Sequence, residues 1–272
     1  MRPLAIDLFC GLGGWTEGLL AEGYEVIGFD IEQHVYGEHR YPAQLVVQDV
    51  LTIHGSQLKS AALIVASPPC QEYSYMAMPW SKAKALAADY RSGTRDVKQL
   101  TALFDACFRI QREACQAAGR HIPLVVENVK GAQPWVGRAR WAYGSFFLWG
   151  DVPALMPIQK YHSRLKVSAG EQWNINRKNF TGTVGWDDSR KNNGGSWFNI
   201  GSPGQKVVGQ NPDGRKSGND WFGSGEDCSL QRRHGSKSKG RKFASAMIAK
   251  IPLPLSRHIA ATYRRTEGRA AA

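Results

Sequence analysis

Residues 4–30, "LAIDLFCGLGGWTEGLLAEGYEVIGFD", decide the fold. The apolar run from Leu4 to Phe9 is too short for a stable helix and reads as a buried strand. Glycines 11, 13 and 14 then turn the chain tightly, and "WTEGLLAEG" reads as a helix stopped by Gly23. "YEVIGFD" follows as a second strand that ends in Asp30. The same alternation continues outward. "AQLVVQDV" and "AALIVAS" read as a third and a fourth strand, and "IPLVVEN" as a fifth. Between the last two, residues 99–119 carry apolar side chains at 100, 103, 104, 107, 110 and 114, one helical face closed by Gly119. Strands alternating with helices imply an α/β fold, a mostly parallel sheet with helices on both faces. Such sheets bind ligands beyond the carboxyl ends of their strands. The turns after Phe9, Asp30, Asp49, Ser67 and Glu127 are therefore expected to share one rim.

Composition divides the chain. With 272 residues, 42% of them apolar, it can bury one large core and still carry an insert. Between Ile158 and Lys242 there are 16 Lys and Arg against 7 Asp and Glu, so +9 of the +12 net charge lies in under a third of the length. Residues 158–240 also hold 14 of the 29 glycines, with isolated tryptophans and no long periodic segment. A small irregular domain is expected there, the interspersed tryptophans arguing against pure disorder. Residues 1–157 and 241–272 would form the sheet domain, the latter with a helix from about Leu255 to Tyr263. Concentrated positive charge is the footprint of a polyanion; a solvated basic face is the competing reading.

Five scattered cysteines, none in CxxC spacing, favour reduced thiols over a disulfide framework or a metal site. No stretch approaches the ~20 apolar residues of a membrane span, and Asp7 interrupts the first apolar run too early for a signal segment. A soluble, cytoplasmic, monomeric protein without a membrane or metal partner is expected.

Three motifs carry chemistry. "DLFCGLGG" joins a strand to a helix through glycines that let a ligand approach the backbone, although a structural turn would use them equally. Asp30 stands where an acidic residue commonly takes two ribose hydroxyls, and Asp49 where one could meet an adenine amino group; a helix N-cap is the alternative for either. In "SPPCQEYS", residues 67–74, two prolines fix φ and exclude helix, so Cys70 is presented at the rim, as a nucleophilic thiolate requires. A small residue filling a turn is the plainer reading. In "LVVENVKG", Glu127 ends a strand at the same rim and could donate a proton or remain a structural acid.

These motifs, in this order, with Asp30 and a Pro-rich turn near the C-terminus, resemble the cytosine-C5 DNA methyltransferases. The resemblance covers residues 4–30, 61–75, 121–131 and 246–263. It implies a Rossmann-like domain that binds S-adenosyl-L-methionine, with Asp7, Phe9, Gly11, Gly13, Asp30, Ile31, Asp49 and Val50 around the cofactor. It also implies a variable insert that reads double-stranded DNA, the place occupied here by residues 158–240. Cys70 would attack C6 of an extruded cytosine while Glu127 holds N3 and the amino group. The segment 72–98, with Lys82, Lys84, Arg91 and Arg95, could close over DNA or form a plain surface helix at 81–91. The same chemistry on RNA, such as a tRNA, and a non-catalytic DNA-binding module are the alternatives.

The family pattern is departed from twice. Its arginine motif is not clear after Glu-Asn-Val; Arg138 and Arg140 are preferred to Arg164 as the catalytic arginines. Its usual Gly-Asn before the C-terminal turn is replaced by Ala249 and Lys250. A cation at Lys250 near the transferred group could pair with the carboxylate of a carboxylated S-adenosylmethionine, an alternative donor; a plain exposed lysine is the competing reading.

Overall fold

The computed structural model of the chain describes residues 2–73, 80–157, 242–243, 246–247 and 249–270. The basic segment 158–240 lies outside the described residues. Met1–Pro157 and Ile251–Ala272 make one compact unit; a second spans Ile158–Lys250.

The first unit is built on a seven-stranded sheet. Its strands are β1 (Leu4–Leu8), β2 (Glu25–Asp30), β5 (Gln44–Val47), β6 (Leu63–Ala66), β7 (Leu124–Asn128), β8 (Trp141–Tyr143) and β9 (Phe146–Gly150). The remaining two, β3 (Val35–Tyr36) and β4 (His39–Arg40), form a separate small hairpin between β2 and β5. The order across the sheet is β5-β2-β1-β6-β7-β9-β8. The first five are parallel, as the alternation of patterns predicts, and β9 and β8 complete the edge as an antiparallel pair. "WAYGSFFLWG" thus forms a hairpin that the βα pattern did not announce. Its signal is two aromatic runs parted by Gly-Ser.

Period-2 alternation sends side chains into two cores. Ile6, Leu8, Ile64, Ala66, Leu124 and Val126 face α3 (Val97–Ala118), which presents Phe104, Cys107, Ile110 and Ala114. Ala5, Leu63, Val65 and Val125 face the other way, onto Trp15 and Leu19 of α1 (Gly14–Ala21) and Leu255, Ile259 and Ala260 of the C-terminal helix (Leu253–Ala270). Helix α3 starts where Asp96 accepts the Lys98 N–H, 2.8 Å, and stops at Gly119 with φ 66°. Among the described helices none is long and apolar enough to cross a membrane.

From β1 the chain goes to β2 on one side, while β6 lies on the other. The strand order therefore reverses between β1 and β6, the position at which sheets of this kind form a ligand crevice beyond the carboxyl ends of their strands. The loop after β1 and the turn after β6 flank it.

Candidate active site

The loop after β1 is held in an unusual shape. Phe9 has φ 58°, in the left-handed region that costs a non-glycine residue about 1 kcal/mol or more, and Gly11 and Gly13 follow at φ 51° and 79°. Two features of the neighbouring strand impose it: Cys10 N–H donates to Phe29 O, 3.1 Å, and Gly11 N–H donates to Asp30 Oδ2, 2.8 Å. Gly13 is required for space as well as for φ, since a Cβ there would stand 2.5 Å from Pro42 Cδ.

Asp30 is buried at the end of β2, with His34 Nε2 3.6 Å from its Oδ1. Burial alone would raise its pKa, but hydrogen bonds from His34 and from the Gly11 N–H outweigh that and hold the carboxyl below its ordinary range. Asp30 is therefore an anion at neutral pH, braced to accept hydroxyl donors. Asp7 behaves oppositely. It lies buried in the middle of β1, its Oδ2 accepting from Thr16 Oγ1 at 2.7 Å, and Thr16 in turn meets Tyr41 OH at 2.6 Å. Its Oδ1 has no partner, and burial, aided by Asp30, pushes its pKa up to about 7.

Asp49, two residues past β5, caps a 3-10 turn at Val50–Thr52 by accepting the Leu51 N–H at 2.9 Å, the cap expected as its alternative role. Val50 points into the α3 core. Ile31, directly after β2, and Leu51, within the 3-10 turn that follows the adjacent strand β5, are by contrast 71% and 48% exposed. An exposed Ile31 next in sequence to the ionised Asp30, an exposed Leu51 on the segment after neighbouring β5, and open space where a Gly11 Cβ would project suit a nucleoside-bearing cofactor: apolar contact for a base, acceptors for ribose hydroxyls.

Across the crevice, the turn after β6 is clamped from both sides. Ser67 N–H donates to Leu8 O, 3.2 Å, and Ser67 Oγ accepts from Trp15 Nε1, 3.0 Å. Asn128, 1% exposed, donates from Nδ2 to Pro68 O, 3.0 Å, while its Oδ1 accepts the Val129 N–H, 2.8 Å. Cys70 follows, half-exposed. Cys10 and Cys107 are buried, and burial raises both thiols. Cys115, in the last turn of α3, takes the Ile122 N–H on its sulfur, 3.1 Å. Among the described cysteines only Cys70 combines exposure with a place on the rim.

Glu127 closes the site. Strands β6 and β7 pair in parallel with Ala66 opposite Val126, so Ser67 and Glu127 stand side by side one step further, ~5 Å apart across the strands. By alternation both side chains leave the face that carries Val65 and Val125. The Glu127 residue is 4% exposed.

Beyond Cys70, α2 (Trp80–Arg91) takes the helical form that was the plainer expectation for its segment. Its last turn reaches back to the Cys70 turn: Tyr90 OH donates to Glu72 Oε2, 2.7 Å, and Tyr90 meets Trp135 edge-on, ring centroids 5.6 Å apart. Arg91 lies over Trp135 and Arg95 over Tyr90, 5.9 and 5.8 Å from the ring centroids. Lys84 is exposed. The Lys82 side chain and residues 74–79 lie outside the described residues.

Arg138 and Arg140 are not brought to the rim in the way Cys70 and Glu127 are. Both are exposed, before edge strand β8 and two strands from β7. The charge of Arg140 is felt by Tyr263, whose hydroxyl, pushed up to about 12 chiefly by burial, donates to Asp151 O. Asp151 Oδ2 accepts the Leu124 N–H at the start of β7, the end opposite Glu127. Lys250 belongs to the second unit, where its N–H donates to Met247 O, 3.3 Å. Trp15, Ser67, Asn128 and Tyr41 are site-building residues that the motif reading passed over, although the first three lie within or beside the motifs themselves.

Residues 4–132 match the family model described as C-5 cytosine-specific DNA methylase. Over 84 residues the chain is 31% identical to the type II methylase M.HgiDII of Herpetosiphon aurantiacus, covering 27% of this chain and 23% of that protein. The matched part therefore spans less than a quarter of that relative. Two solved structures are similar over about half of the chain. One is described as a DNA modification methyltransferase encoded within a prophage of E. coli, with 23% identity, TM-score 0.33 and coverage of 48% of this chain and 33% of that one. The other is the Entamoeba histolytica methyltransferase EhMeth, with 18% identity, TM-score 0.29 and coverage of 50% and 41%.

Proposed function

We propose that this chain, whose residues 4–132 match the family model described as C-5 cytosine-specific DNA methylase, methylates C5 of cytosine in double-stranded DNA through a covalent bond between Cys70 and the base. The observation that carries the proposal is that Glu127 stands at the carboxyl end of β7 and Cys70 on the turn that follows the adjacent parallel strand β6, next to the point where the strand order reverses.

Cytosine C5 is a weak nucleophile, so the ring must first be activated. The Cys70 thiolate adds to C6, forming an S–C bond and moving the ring's electron pair toward C5. Glu127, buried and fixed at the end of β7, holds the base through N3 and the exocyclic amino group and stabilises the charge that develops as C6 is attacked. Asp30 would hold ribose hydroxyls of S-adenosyl-L-methionine, and Ile31 and Leu51 its adenine. When bound there, that cofactor supplies an electrophilic methyl group. Loss of the C5 proton then returns the electron pair to the ring and expels Cys70 as thiolate. C6 is covered by stacking in a duplex, so the target base must be extruded to meet Cys70. The basic segment 158–240 supplies charge for the phosphates, which makes binding fall steeply with salt.

Oligonucleotides containing 5-fluorocytosine test the mechanism, since fluorine at C5 blocks the final elimination. The protein with cofactor is expected to form a complex with such DNA that survives denaturant, and Cys70→Ala to form none. A complex with RNA in place of DNA would move the substrate; no complex with either would refute the proposal.

A further inference from the structure

The nucleophile turn is tied to the cofactor side of the crevice by a side-chain bond from Trp15 to Ser67, and this bond lies outside the residues that touch substrate or cofactor. Trp15 is the second residue of α1, directly after the glycine loop, and is 2% exposed. Its Nε1–H donates to Ser67 Oγ at 3.0 Å, across 52 positions of sequence. Ser67 is the last residue before the two prolines that deliver Cys70. It is also the neighbour of Glu127 on the same face of the sheet, one step past the Ala66–Val126 pair. The indole is 2% exposed and belongs to the close-packed core that also holds Leu19 and Val65, so it has little freedom to follow Ser67 if the turn moves. Phe9, Gly11 and Gly13 on one side and Cys70 with Glu127 on the other therefore share one rigid bridge.

We infer that Trp15 and Ser67 are a positioning pair for the reaction: the indole N–H fixes the Ser67 hydroxyl, and through it the start of the Cys70 turn beside Glu127, in register with the glycine loop. The inference rests on the proposed methyltransferase reading. A displacement of a reacting group by ~1 Å can cost as much as 10²-fold in rate, so the loss of this bond should show in the chemical step.

Adduct formation with 5-fluorocytosine DNA and saturating cofactor, timed in a quenched-flow instrument, tests the pair. Trp15→Phe keeps the ring and removes the donor; Ser67→Ala removes the acceptor; Ser67→Thr restores it. Both the Trp15→Phe and Ser67→Ala proteins are expected to form the adduct about tenfold more slowly, with KM for DNA and cofactor within about twofold of the parent. The double variant should be no slower than either single one, because both remove the same bond. Ser67→Thr should recover most of the rate. If Trp15→Phe does not fold, the Ser67 pair of variants still decides. Rates within twofold of the parent, multiplying effects in the double variant, or a Ser67→Thr protein as slow as Ser67→Ala would overturn the pairing alone. A parent protein that forms no adduct would overturn the function reading and this inference with it.

Discussion

Replacing Asp7 by Asn should stabilise the cofactor-free protein at pH 8 and do progressively less as the pH is lowered. The reason is the burial of a carboxyl with one oxygen bonded to Thr16 and the other unpartnered. Its pKa moves from an ordinary 3.8 to about 7 on folding. The folded state thus holds the proton more tightly than the unfolded state. Below about pH 4 both states are protonated and nothing is lost. Between about 4 and 7 the unfolded chain releases the proton first, so this residue's contribution to stability falls as the pH rises, and above 7 the whole cost is present. At ~1.4 kcal/mol for each factor of ten in proton affinity, that cost is about 4 kcal/mol. Asn presents the same acceptor to Thr16 without the charge, and also relieves the repulsion from Asp30, the charged group that faces Asp7. Urea unfolding of the two proteins at pH 5, 6, 7 and 8 measures the difference. The variant should gain on the parent by about 1 kcal/mol per pH unit from 5 to 7, the gain then levelling off. Other groups titrate in that window, but they are common to both proteins and cancel. A difference that is flat from pH 5 to 8, or that shrinks as pH rises, would show that Asp7 is ionised in the fold and that the site is wetter than its burial implies.

Two stability measurements probe the rest of the scaffold. Gly28→Ala puts a Cβ 2.3 Å from the Tyr41 ring, so Tyr41 must leave Thr16, at a cost of about 1–3 kcal/mol; a thermal midpoint equal to that of the parent would refute the packing of Tyr41 over β2. Asn128→Ala leaves the buried Pro68 carbonyl without its donor, while the half-buried Val129 N–H can turn to water, so a loss of about 2 kcal/mol with an unchanged urea m-value is expected. The same variant should slow adduct formation, because the Cys70 turn loses its clamp on the β7 side, and a normal rate would separate that clamp from the chemistry.

What the sequence determined by itself is the parallel half of the sheet and the identity of its rim. Strands buried on both faces read as unbroken apolar runs, and glycine after β1 and the two prolines after β6 punctuate them so sharply that Phe9, Asp30, Cys70 and Glu127 fall at strand ends without any knowledge of the fold. The hairpin β8–β9 and its antiparallel register were hidden because a short aromatic run fits strand or helix equally, and that register is what sets Arg140 beside edge strand β8, two strands from β7. Only tertiary structure decided the contacts that make the rim a site. Trp15 meets Ser67 across 52 positions, and Asn128 meets Pro68 across 60. Nothing local in the sequence encodes either pairing, since each follows from which strands the crossovers set side by side and from the face to which alternation turns each residue.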